Sequence, residues 1–93
     1  MNKFFQDMDV VITAGASQLL SDENINEALR RHSNKDWGNV SDEDKKANDE
    51  AYETGGMLLS SYTFEGQKIW VITDYGWKDT DHKVTTILLP EEY

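Results

Sequence analysis

The stretch Met57-Leu58-Leu59-Ser60-Ser61-Tyr62-Thr63-Phe64-Glu65-Gly66-Gln67-Lys68-Ile69-Trp70-Val71-Ile72-Thr73 decides the fold. Two runs rich in β-branched and aromatic residues flank Glu65-Gly66, a dipeptide suited to a tight turn, so the segment reads as a β-hairpin. A further run, Val84 to Leu89, is closed by Pro90 and supplies the next strand of a C-terminal antiparallel β-meander. These strands are apolar at most positions on both faces. One face therefore belongs under a helical layer and the other is left partly wet.

Upstream of the hairpin the period changes. Ser41 with Asp44 three residues on is a near relative of the capping box, and it opens a helix that runs through Ala47, Ala51 and Tyr52. Gly55-Gly56 ends that helix. Before a turn-rich break around Asp36-Trp37-Gly38, the residues Ile25, Ala28, Leu29 and His32 recur at helical spacing. Ser17 or Ser21 serves as the cap, Asp22 and Glu23 lie in the first turn, and Arg30, Arg31 and His32 lie at the carboxyl end, where the helix dipole favours positive charge. Val10-Val11-Ile12-Thr13 is a short first strand stopped by Ala14-Gly15. The expectation is an α+β fold, two short helices packed on an antiparallel sheet of three to four strands, in a single domain spanning 1–93.

Composition narrows the function classes. The 93 residues hold 18 acids, 9 bases, one proline and no cysteine, for a net charge of −9. Direct nucleic-acid binding is disfavoured, because phosphate would be met with repulsion. Without cysteine, neither a disulfide framework nor a thiolate metal site is available, which suits a cytoplasmic protein. The start, MNKFFQDMDVV, lacks the apolar stretch of a signal peptide, and no run is apolar and long enough to span a membrane.

An enzyme is weakly supported. His32 and His82 are the two histidines. His32 reads as a helix-end imidazole, held charged by the dipole, more readily than as a catalyst. Asp79, Asp81 and His82, with Asp74, are possible metal ligands, but alternating acids in a loop more often satisfy local backbone donors. Ser60 and Ser61 lie in a strand rather than at an exposed elbow. Gly55-Gly56 follows a helix, whereas a phosphate cradle precedes one. The expectation is a non-enzymatic protein without cofactor or metal. Trp37 and Trp70 read as core residues.

From Arg31 onward the chain carries an ordered string. It comprises Arg31-His32, Asp36-Trp37-Gly38, Glu43-Asp44, Asn48-Asp49, Gly56, Leu58-Leu59-Ser60, Tyr62, Gly66, Ile69-Trp70, Ile72-Thr73, Thr85-Thr86 and Leu88-Leu89-Pro90-Glu91-Glu92-Tyr93. This string resembles a family of small proteins carried on plasmids, phages and other mobile elements, labelled plasmid-related proteins or a type I restriction enzyme subunit. The restriction label fits poorly, since a methyltransferase needs a cofactor-binding α/β domain with a glycine-rich turn that this chain lacks. Where relatives have a short connection, this chain has Asp74 to Lys83 (DYGWKDTDHK), and loops of such length between strands are often functional.

The acidic charge is concentrated in one place. Residues 36–54 hold seven acids and two bases, net −5. On the helix from Ser41, Asp42, Asp49 and Glu53 fall along one side, and Glu43 and Glu50 along the next. Such a ridge can stand in for a phosphate track before a cationic cleft and steer a basic partner from a distance, with Lys45 and Lys46 diluting it. The bland alternative is a solvated face that keeps a small domain soluble. In the inserted loop, Tyr75 and Trp77 flank Gly76 and are interface anchors in one reading, with Asp79 and Asp81 beside them. In the other reading, Trp77 caps the core.

Taken with the resemblance, these features lead to an expected inhibitor of a nucleic-acid-handling host defence enzyme, in concrete form an anti-CRISPR protein. Its partner would be a basic host protein such as a CRISPR nuclease or its guide complex. The alternative is a structural or regulatory accessory protein of a plasmid or phage, a homodimer formed through a sheet edge or the aromatic loop.

Overall fold

A computed structural model describes residues 8–75 and 83–93, with the side chains of 9–74 and 84–93. The chain forms β1 (Met8–Ile12), α1 (Ala14–Leu19), α2 (Asp22–Ser33), α3 (Asp42–Thr54), β2 (Met57–Phe64), β3 (Gln67–Tyr75) and β4 (Lys83–Leu88), then a 3₁₀ turn at Pro90–Glu92. The strands lie in the order β1-β4-β3-β2. The expected α+β class and the meander β2-β3-β4 are present, with Phe64 opposite Gln67 across a two-residue turn. Glu65 (φ 53°) and Gly66 (φ 82°) both take the left-handed conformation that such a turn needs.

Two parts of the expectation need correction. β1 runs parallel to β4, so the sheet is mixed rather than antiparallel throughout. The reason is topological: β1 leads into three successive helices before the chain re-enters the sheet, and a helical crossover returns the chain in the same direction. There are also three helices among the described residues, not two. The additional one, α1, has six residues, too few to show a periodicity. It is fixed from outside its own sequence. The Thr13 hydroxyl accepts from the Ala16 amide, and the Glu92 carboxylate accepts from the Thr13 hydroxyl (2.5 Å), the Gly15 amide (3.1 Å) and the Leu89 amide (2.9 Å). These bonds hold the Glu92 carboxyl below the usual range, the Thr13 hydroxyl contributing most. Ser17 is therefore inside α1 and caps nothing, whereas Ser21 caps α2 through the Asn24 amide and Ser41 caps α3 through the Asp44 amide.

The helices cover one face of the sheet. On that face Tyr62, Ile69, Val71, Ile87 and Leu89 pack with Ala16, Leu20 and Ala28. Trp37 joins Leu58, with Val40, Ala51 and Tyr52 beside them, under α3. The opposite face is partly wet, as expected. Ile72 and Leu88 are buried there, whereas Met57 and Thr63 are exposed. Trp70, expected in the core, belongs to this outer face and is only half-buried, with Tyr93 edge-on at 5.7 Å.

Candidate functional site: the acidic helix and what holds it

α3 lies against β2, the edge strand, and three sets of bonds fix it there. The buried Asn48 side chain uses both ends of its amide on one strand residue, donating to the Leu59 carbonyl (2.8 Å) and accepting from the Leu59 amide (3.0 Å). An asparagine thus does what a neighbouring strand would do. Two residues on, the Ser61 amide donates to the Trp37 carbonyl (3.0 Å) and its carbonyl accepts from the Asn39 amide (2.8 Å). The Trp37 indole N–H donates to the Asp49 carboxylate at 3.0 Å. Alternate residues of β2, those whose backbone groups turn outward, are in this way closed by α3 and the loop before it.

The loop is anchored in turn. Arg31 grips Asp36 with two bonds, 2.7 and 3.3 Å, and its guanidinium sits 4.4 Å above the Tyr62 ring. The Tyr62 hydroxyl donates to the Asp36 carbonyl at 2.6 Å. The Arg31 guanidinium holds the Asp36 carboxyl below its ordinary value, and burial pushes the Tyr62 hydroxyl up to about 12. Both groups keep their pH 7 charge states.

Beneath α2 runs a buried polar seam. His32 Nδ1 lies 2.6 Å from the Ser60 hydroxyl and Nε2 lies 2.8 Å from the Thr73 hydroxyl, which lies 2.7 Å from that of Thr85. All four residues are fully buried. Burial lowers the His32 pKa to about 4, so the imidazole is neutral at pH 7. This corrects the sequence expectation of a charged helix-end imidazole. A serine and a histidine at hydrogen-bonding distance form a nucleophile–base pair only where a substrate can reach them, and no solvent reaches either side chain. The seam joins α2 to three strands.

The outward face of α3 is different in kind. Asp42, Glu43, Asp49, Glu50 and Glu53 are all exposed on it, together with Lys46. From Asp42 to Glu53 the helix rises about 17 Å. The predicted carboxylates are thus brought together, with two qualifications. Asp49 has one oxygen committed to Trp37, and Glu53 lies 3.9 Å from the Lys35 ammonium, an exposed pair that solvent screens. Lys46, one turn from both Asp42 and Glu50, sits between the two acidic rows and is a feature the sequence reading treated only as dilution. Tyr75 is the last residue of β3. Its side chain, and Trp77, Asp79 and Asp81, lie outside the described residues. The root of their loop is placed, because Asp74 pairs with Met57, which follows α3 after Gly55-Gly56.

No family model, curated protein or solved structure matches the chain. Arg31, His32, Asp36, Trp37, Asn48, Asp49, Ser60, Tyr62, Thr73 and Thr85 all take part in the bonds just described.

The placement of charge on α3 opposes its own stability. Asp42, Glu43 and Asp44 in the first turn suit the helix dipole, but the last turn holds no base and ends with Glu53 one turn after Glu50. Glu50→Lys should therefore stabilise the protein by about 0.3 kcal/mol, through the dipole, because the new pair with Glu53 is offset by a like-charge contact with Lys46. Urea denaturation reads this directly. No gain would mean that the carboxylate at 50 carries no cost.

Proposed function

We propose that this chain is a non-enzymatic acidic binding protein of a mobile element that inhibits a host nucleic-acid-handling defence enzyme. In its concrete form it is an anti-CRISPR protein. The α3 carboxylates occupy the cationic cleft with which an RNA-guided nuclease holds DNA or reads its adjacent motif. One observation carries this reading: five carboxylates stand on the open face of a helix whose other face is locked to a sheet edge, so the charge is presented rigidly rather than on a loose tail. Rigid presentation lowers the ordering cost of binding. The root of the aromatic loop at Asp74, beside the carboxyl end of α3, favours one continuous contact surface, with Tyr75 and Trp77 as anchors.

Affinity capture from a lysate containing CRISPR nucleases tests the proposal. The expected result is retention of a nuclease, released as salt rises and displaced by target DNA. Retention indifferent to both would count against the ridge. A second reading, an accessory homodimer of a plasmid or phage, is favoured by one feature, the outer edge of β1.

A further inference from the structure

The two edges of the sheet are treated differently. β2 is closed at Leu59 and Ser61 by Asn48, Trp37 and Asn39. Among the described residues no strand lies outside β1. Along β1, Val10 (41% exposed), Val11 (48%) and Ile12 (36%) show apolar surface, and because side chains alternate it lies on both faces of the sheet. A strand with an open edge and apolar residues on both sides is a template for pairing, and soluble proteins ordinarily blunt such edges with charge or proline.

We propose that β1 pairs with β1 of a second copy of this chain, antiparallel about Val11, to give a continuous eight-stranded sheet. The inference rests on the homodimer reading and is independent of what α3 binds. Backbone polarity, side-chain matching and charge each support it.

The Thr13 amide donates to the Ile87 carbonyl at 3.0 Å, so Thr13, Val11 and Asp9 turn their backbone groups toward β4. Successive residues alternate along a strand, and Val10 and Ile12 therefore turn theirs outward. With Val11 opposite Val11 of the second copy, Val10 falls opposite Ile12 in both directions. Both of these are hydrogen-bonded pairs, and the Val11 pair between them is the close, non-hydrogen-bonded one. In the same register the side chains match: Val11 meets its own copy on the outer face, Val10 meets Ile12 on the other, and Asp9 falls opposite Thr13 rather than its own copy. A register centred on Val10 would set Asp9 against Val11 on both sides.

Charge arrangement allows two chains of net charge −9 to approach along this edge and not the other. α3 lies at β2, the opposite edge, so pairing through β1 puts the two acidic ridges at the far ends of the joined sheet. At the neighbouring-strand spacing, the two β2 strands would stand about 34 Å apart, several screening lengths at physiological salt. A five-residue strand offers a short pairing, so the dimer is concentration-dependent.

The absence of native cysteine makes the test clean. Sedimentation of the full chain from low micromolar to millimolar concentration should show monomer passing to dimer. Val11→Lys, at an exposed position, should leave thermal unfolding unchanged and the chain monomeric throughout. Val11→Cys under mild oxidation should give a covalent dimer. Val10→Cys should not, since in this register the two copies of residue 10 are offset by two residues and lie beyond disulfide reach. A monomer at every concentration would overturn both the homodimer reading and the pairing. A dimer that Val11→Lys leaves intact, or cross-linking as efficient from Val10→Cys as from Val11→Cys, would overturn the pairing alone.

Discussion

Gly38→Ala is expected to cost about 3–5 kcal/mol, a large share of the stability of a domain this size. Gly38 has a φ of +74°, and a Cβ added there would lie 2.0 Å from the Ser61 carbonyl oxygen, with the Tyr62 ring within 3 Å. That oxygen belongs to a strand backbone and cannot swing aside as a side-chain tip does. It also accepts the Asn39 amide that closes the edge of β2. The variant must therefore lift the loop, and with it the carbonyl of Trp37 and the footing of α3. Gly66 is the control. Its φ is +82°, but a Cβ there would meet nothing within 4 Å, so Gly66→Ala should cost only the left-handed backbone strain, about 1 kcal/mol. Denaturant titrations of the two variants give the comparison. Equal losses would mean that the loop–strand contact carries no weight.

Stability is expected to fall by about 3 kcal/mol between pH 6.5 and pH 4 on account of His32 alone. In the folded chain its pKa is lowered to about 4 by burial, against 6.5 when unfolded. As pH falls through 6.5 the unfolded state takes a proton that the folded state refuses, so the equilibrium shifts toward unfolding. The loss is complete below about 4, where both states are protonated. Protonation of the many carboxylates over part of the same range relieves self-repulsion and partly offsets the fall, so wild type alone is not decisive. His32→Gln retains a donor and an acceptor but not the titration, and its stability profile should be flatter across this window by the stated amount. Parallel profiles would show that the imbalance is not at His32.

Much of the fold was legible in local chemistry. Ser21 and Ser41 mark the starts of α2 and α3, Gly55 marks an end, and Glu65-Gly66 sets the hairpin, because caps and tight turns are satisfied by residues a few positions away. What was not legible depends on partners distant in sequence. α1 exists through Thr13 and Glu92, at opposite ends of the chain. The neutral state of His32 follows from its burial against Ser60 and Thr73, which in sequence read as ordinary strand residues. The same division holds for the candidate site. Helical spacing alone places Asp42, Glu43, Asp49, Glu50 and Glu53 on one face. Nothing in that spacing foretells that Asn48 would dock the opposite face to the backbone of Leu59, or that Asp49 would be shared with Trp37.

The ridge itself is tested most directly by measuring inhibition of target-DNA cleavage by an RNA-guided nuclease that the protein captures. Wild type is compared with a variant carrying Asp42→Asn, Glu43→Gln, Asp49→Asn, Glu50→Gln and Glu53→Gln. The amides keep side-chain shape, and Asn at 49 keeps an acceptor for the Trp37 indole, so the fold is preserved while five negative charges are removed. The account predicts that potency is lost in the variant, and that wild-type potency declines as salt is raised. Undiminished inhibition by the folded variant would contradict it.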